Sequence, residues 1–324
     1  MGVLKGYHLQ LSCVITRADK SARFFGSFLD SHSKETTLQP HQERTLAGVA
    51  ETISPAPYNI MIYLFLAVLG GVLAGIINTL AGSGSLVTLP ILALLGLPSP
   101  IANATNRVGV VVQCMVASAS FRRQGYLPFY KATWWWLVPT LLGSLIGAQI
   151  AVDIPEQPLN IAIAVIMVVM LIITIKGKKS FEDSPLNPLT ILSQKPATKL
   201  AIALFFVGIY GGFIQAGVGV MLLLVLVTGA QISLPFANGL KMVVALGLAS
   251  VALILFVLND MIHWQYGLLM AVGQSIGAWL GVRFISKVPN ASVWVRRLLI
   301  VILILGSLHY VAKIFGFDVI SLLR

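Results

Sequence analysis

Long runs without a charged residue dominate this chain. Residues 52–106, 132–152, 157–175, 200–240, 242–259 and 261–282 contain no Asp, Glu, Lys or Arg. Each is long enough for at least one helix through a bilayer, which takes about 20 apolar residues. The runs are continuous Leu, Val, Ile and Ala, not alternating ten-residue segments, so they predict helices and not a barrel. Glycine and proline breaks divide the first half into segments near 60–81, 84–97, 102–121, 132–152 and 158–175. The second half divides into 200–216, 219–230, 236–258, 264–282 and 298–312. At about 1.5 Å per residue, 84–97 and 219–230 are too short for straight full spans. They are predicted to be half-helices packed inside the protein, where broken helices are tolerated.

Composition agrees with this pattern. Hydrophobic residues make up 57% of the chain, charged residues only 10%, and the mean hydropathy is +0.89. A soluble domain carries about 25% charged residues. The net charge of +11 would suggest nucleic acid in a soluble protein. Here Lys and Arg gather at the ends of hydrophobic segments, as membrane orientation requires. Residues 1–59 differ from the rest, with six basic and five acidic residues and no sustained apolar run. They are expected to form a disordered leader without the apolar core of a secretory signal. Translation is expected to start naturally at Met61.

Loop charges predict the topology. Arg122, Arg123 and Lys131 mark one connection as cytoplasmic, while the next holds Asp153 and Glu156 without Lys or Arg. The second half exchanges the pattern: Asp260 lies in its first such loop, and Arg283, Lys287, Arg296 and Arg297 follow later. The expectation is an all-α polytopic transmembrane bundle of two inverted repeats, about five hydrophobic segments each. Its parts are 60–176, a cytoplasmic linker 177–199, 200–315 and a tail 316–324. Gly71 and Gly75 correspond to Gly208 and Gly212, and Gly143 and Gly147 to Gly273 and Gly277. Small residues four apart let helices approach closely in lipid.

The same repetition defines a candidate site. Gly82-Ser83-Gly84 precedes Arg107, and Gly217-Val218-Gly219 precedes Lys241, with 25 and 24 residues from the first glycine to the cation. A cation near the middle of a membrane helix costs about 2.5 to 3.5 kcal/mol on insertion scales and normally faces a cavity or partner. Neither segment offers a carboxylate, so an anionic substrate is the expected counter-charge. The alternative is that both side chains snorkel to the membrane surface. Glycine breaks free backbone N–H groups, and the positive end of the following half-helix favours an anion. Gly82, Ser83, Gly84 and Ser85 are therefore candidate oxyanion ligands, with Gly217 and Gly219 their counterparts. Tight packing is the competing explanation for these glycines. Asn103, Thr105 and Asn106 flank Arg107, Asn238 precedes Lys241, and Asn78 and Gln215 precede the two glycine motifs. Each is either substrate ligand or interhelical hydrogen-bond partner.

Other residues narrow the function. Cys13 and Cys114 have no metal or disulfide spacing, and Cys114 is expected to pack. Trp134, Trp135 and Trp136 read as interfacial anchors. His263 and His309 lack nearby carboxylates, so no metal site, cofactor or catalytic group is expected. The expected partners are lipid and a small anion, not nucleic acid; the sequence leaves open a homo-oligomer. The function classes are a transporter and, alternatively, an anion channel.

Specific motifs then point to a family. Asn78-Thr-Leu-Ala-Gly-Ser-Gly-Ser, Thr88-Leu-Pro, Ala104-Thr-Asn-Arg-Val and Phe121-Arg-Arg-Gln-Gly resemble the first repeat of the TauE/SafE sulfite exporter family. Ala237-Asn-Gly-Leu-Lys-Met-Val and Trp264-Gln-Tyr-Gly, followed by Gly273 to Arg283, resemble its second repeat. The resemblance covers about residues 60–315 and implies carriage of small anions such as sulfite and sulfonates across the bacterial cytoplasmic membrane. Where the family usually has Lys after Thr-Asn, this chain has Arg107, which keeps the charge but changes hydrogen-bond geometry.

Overall fold

The computed structural model describes residues 57–127, 134–176, 196–285 and 291–315. Residues 1–56 of the expected leader 1–59, most of the linker (177–195) and the tail 316–324 lie outside the described residues, as do Lys131 and Lys287, whereas residues 57–59 open the first helix and so depart from the expected disorder. The helices are α1 (Pro57–Ala81), α2 (Ser85–Leu94), α3 (Ser99–Arg123), α4 (Trp134–Asp153) and α5 (Glu156–Lys176), then α6 (Thr198–Phe213), α7 (Val218–Leu224), α8 (Leu234–Leu258), α9 (Trp264–Ile285) and α10 (Ala291–Ile314). All the regular elements among the described residues are helical, and they follow the ten predicted segments in order. The two expected half-helices are present: α2 has 10 residues, and α7 has 7 before a π-helical turn at Val225–Gly229.

The outer surface is apolar. Leu142, Leu145, Ile146 and Ile150 on α4, and Val165, Val168, Val169 and Ile172 on α5, are all exposed. An apolar surface this extensive suits lipid and not water. By length and composition α4, α5, α8 and Arg297–Ile314 of α10 can each cross a membrane. Helix α3 has 25 residues, yet it carries Asn103, Thr105, Asn106, Arg107 and Gln113, all buried. It packs against α8 and α9, and protein neighbours replace lipid around its polar side. Trp134 and Trp135 are exposed, as anchors should be, whereas Trp136 is 1% exposed. The expectation for Trp136 is corrected: its side chain joins the core with Leu137 and Leu204.

Glycines interlock the two halves. Helix α1 packs on α9, and α4 on α6. A Cβ on Gly277 would stand 3.0 Å from Cα of Gly75, and one on Gly71 would stand 3.1 Å from Cα of Gly273. At the other contact, a Cβ on Gly208 would lie 2.8 Å from Cα of Thr140 and one on Gly212 2.7 Å from Cα of Ser144. Gly71 and Gly75 therefore pack on Gly273 and Gly277, and Gly208 and Gly212 on the α4 segment that holds Thr140 and Ser144, with backbone as the obstacle to any side chain. Helices α3 and α8, the expected counterparts in the two halves, run antiparallel. Thr105, near the start of α3, accepts a bond from the His263 amide just after α8, and Gly239, near the start of α8, lies on the Tyr126 carbonyl just after α3.

Candidate functional site

The chain breaks twice in matched fashion. Helix α1 ends at Ala81 and α6 at Phe213, and the turns that follow use left-handed glycines, Gly82 at φ +74° and Gly217 at φ +75°. An L side chain is strained there. The two breaks touch: a Cβ on Gly82 would lie 2.7 Å from Cα of Gly219, and one on Gly219 would lie 2.8 Å from the carbonyl carbon of Gly82. A Cβ on Gly84 would lie 2.5 Å from the Ala74 carbonyl oxygen. Close packing thus accounts for Gly82, Gly84 and Gly219.

Arg107 and Lys241 are 0% and 1% exposed, which excludes snorkelling in this structure. The Arg107 guanidinium donates to the carbonyl oxygens of Gly211 (2.6 Å) and Gly212 (2.9 Å) and to Oε1 of Gln215 (2.6 Å). Lys241 Nζ donates to the carbonyl oxygens of Asn78 (3.2 Å) and Thr79 (3.3 Å) and to Oδ1 of Asn238 (2.8 Å). A broken helix leaves its last carbonyls without intrahelical donors and carries partial negative charge at that end. The first half's cation therefore ends α6 of the second half, and the second half's cation ends α1 of the first. Partial charges on backbone oxygen solvate these cations; no carboxylate does so among the described residues. Between residues 60 and 315 of the sequence, Asp and Glu occur at positions 153, 156, 182, 183 and 260. Glu156 pairs with Lys313 at 2.7 Å.

The remaining candidates divide into groups. Asn103 Nδ2 donates to the Phe213 carbonyl (2.8 Å) beside Arg107, and Gln215 and Asn238 accept from the two cations. Asn78 contributes its carbonyl to Lys241, and its Oδ1 accepts from the Gly84 amide at 3.5 Å. Asn106 turns toward α2: its Nδ2 donates to Ser85 Oγ (3.0 Å), and its Oδ1 accepts from Thr88 Oγ1 (2.7 Å). Thr105 stands apart, engaged by the His263 amide at 3.0 Å. Ser83 Oγ donates to the Ala81 carbonyl at 3.4 Å. Burial holds the His263 imidazole below its usual pKa; its ring stacks on Tyr266.

Sequence reasoning passed over two buried glutamines. Gln113 on α3 and Gln274 on α9 are 0% and 1% exposed, and Gln113 Oε1 and Nε2 and Gln274 Nε2 have no hydrogen-bond partner among the described residues. Asn103 Oδ1 and Arg107 Nε are in the same position. A buried amide group left unpaired costs about 1 to 3 kcal/mol, so these side chains join the candidates for contact with a polar ligand. The signal for the two glutamines is in the sequence: each is set among apolar and small residues within a charge-free stretch. Cys114 is buried among apolar residues, as expected.

A family model described as "Sulfite exporter TauE/SafE" matches residues 67–310. The chain is 30% identical over 223 residues to a "Probable membrane transporter protein" of Haemophilus influenzae, covering 66% of this chain and 82% of that protein. It is 24% identical over 258 residues to "Probable membrane transporter protein ORF9" of Sinorhizobium, covering 79% and 94%. It is 28% identical over 222 residues to "Probable membrane transporter protein YfcA" of Escherichia coli K12, covering 66% and 77%. No solved structure matches.

Proposed function

Because this chain belongs to the TauE/SafE sulfite exporter family of membrane transporters, we propose that it exports a small oxyanion across the bacterial cytoplasmic membrane. Sulfite, an organosulfonate and a small carboxylate are the substrate classes. One observation carries the reading: two fully buried cations, one from each half, have no carboxylate partner among the described residues. A substrate anion would supply the missing full negative charge, competing with the carbonyls of Gly211, Gly212, Asn78 and Thr79 for the same N–H donors. Arg107 offers a planar fork suited to two oxygens, and Lys241 a compact point charge. Asn103 and Gln215 would orient the first, and Asn78 and Asn238 the second.

Because each cation ties down a helix of the other half, an anion that draws it away would loosen the cross-half contact. That couples binding to rocking of the halves, the motion expected of inverted repeats. An inside-negative potential favours anion exit by about 2.3 kcal/mol per charge per 100 mV, so export can proceed without a coupling ion. The test is counterflow in proteoliposomes with sulfite, methanesulfonate and acetate. Saturable flux of at least one, lost in an Arg107→Gln, Lys241→Gln double variant, is expected. No flux, or full flux in the double variant, overturns the proposal; non-saturating flux with single-channel currents would make it a channel. Reporter fusions at Lys131 and Asp260 test the inverted insertion, and the same sidedness at both would refute it.

A further inference from the structure

A second basic site lies outside the buried pair. The end of α3 opens onto a cavity of about 590 Å³ lined by Ser118, Ala119, Arg122, Arg123 and Leu127. Two guanidinium-bearing residues on one wall are a strong oxyanion attractor, since each offers several N–H donors in a planar fork. Ser118 adds an independent sign: its Oγ is buried and has no hydrogen-bond partner among the described residues, although it borders the cavity. The hydroxyl lies just beneath the cavity wall without an acceptor, and rotation about its Cα–Cβ bond would present it to an oxyanion held by the arginines.

The position of the cavity connects it with the buried cations. At 100° per residue, Arg107, Ser118 and Arg122 fall on one face of α3, with Ser118 the polar step between the two arginines. Leu127, on the cavity wall, lies beside Gly239 of α8, two residues before Lys241. The cavity is thus at the end of the bundle nearer Lys241, while Arg107 lies toward the other end of α3.

We propose that this cavity is an anion-collecting vestibule that binds a soluble sulfonate or similar small oxyanion through Arg122, Arg123 and Ser118 before it reaches Lys241. The direction of passage rests on the transport reading above; the binding site itself does not. A focused positive potential raises the local concentration and arrival rate of anions, here on the side that the loop charges assign to the cytoplasm. The same arginines also suit the C-terminal dipole of α3 and anionic lipid headgroups, and the experiment separates these roles.

The full chain carrying Ser118→Cys is placed in phosphatidylcholine nanodiscs and treated with an anionic (sulfonatoethyl) or a cationic (trimethylammonioethyl) methanethiosulfonate. Rates are normalised to those with a free thiol, and the unsubstituted chain gives the background from Cys13 and Cys114. The expected result is a preference for the anionic reagent of roughly tenfold, weakened by salt, slowed by millimolar methanesulfonate and abolished by Arg122→Gln with Arg123→Gln. The salt series needs no arginine variant and holds if that pair fails to fold. Equal rates for both reagents would overturn the vestibule and leave the arginines as helix-end charges. A preference that methanesulfonate leaves untouched, but phosphatidylglycerol removes, would assign the site to lipid and also overturn it. Adding Arg107→Gln and Lys241→Gln separates the two readings: the labelling preference persists if the vestibule exists, whatever becomes of transport.

Discussion

The Arg107 guanidinium lies 2.6 Å from the Gly211 carbonyl oxygen, 104 positions away along the chain. A side chain from one half thereby completes a helix end in the other, and Lys241 does the same for α1 through Asn78 and Thr79. The pair that suggests a substrate site from sequence thus has a structural part in this fold, each cation closing a helix end of the other half.

Replacement of Arg107 by Met should cost more than lost transport. It leaves the acceptors at Gly211, Gly212 and Gln215 without a donor, each worth about 1 to 3 kcal/mol when buried. Thermal unfolding in detergent should fall clearly below that of the unsubstituted chain. Arg107→Lys, which keeps charge but not the fork, should unfold between the two and retain weakened transport. Equal melting of all three forms would contradict the clamp.

Gly82 and Gly96 offer a matched comparison. Both have positive φ, +74° and +90°, but a Cβ on Gly96 meets nothing within 4 Å whereas one on Gly82 meets Gly219. Gly96→Ala should cost only the left-handed strain, about 1 to 2 kcal/mol. Gly82→Ala should also force the two breaks apart and sharply reduce folded yield. Comparable yields by size-exclusion chromatography would show that the breaks can part freely.

The interlocked helices predict paired sensitivities. Gly277→Val drives a side chain into the α1 backbone at Gly75, and Gly212→Val drives one into α4 at Ser144. Both should lower thermal stability by similar amounts. Gly125→Ala, with open space around its Cβ but a φ of +81°, should lose only the strain. A large loss in one of the glycine-to-valine variants and none in the other would show that the two contacts are not equivalent.

His263 should confer a modest pH dependence. Its pKa is lowered by burial, so between that value and the unfolded value near 6.5 the unfolded chain binds more protons. Stability then rises with pH across this window, and the contribution is lost as pH falls below about 6.5. His263→Asn should flatten that part of a melting-temperature profile recorded from pH 5 to 8. An unchanged profile would remove His263 as the cause.

Much of the fold is legible from charge-free runs and their interruptions. Burial in lipid makes each uncharged stretch of sufficient length a helix, because every backbone group must be bonded within the segment. The same rule marks the short segments behind Gly82 and Gly217 as breaks, and makes Arg107 and Lys241 conspicuous. These properties are local, readable residue by residue. Trp136 shows the limit: its hydropathy matches that of Trp134 and Trp135, and only the packing of α4 decides that it turns inward.

What the sequence determined by itself is the inventory: ten helical segments, two breaks, two cations and a family's motifs in order. Tertiary structure alone decided the partners. It set Gly75 against Gly277, crossed the two cations onto helix ends of the opposite halves, drew Thr105 to His263 and left Gln113 and Gln274 with atoms unpaired among the described residues. The physical reason is that a buried donor takes whichever acceptor the packing of distant helices brings within about 3 Å, and no local pattern records that distance.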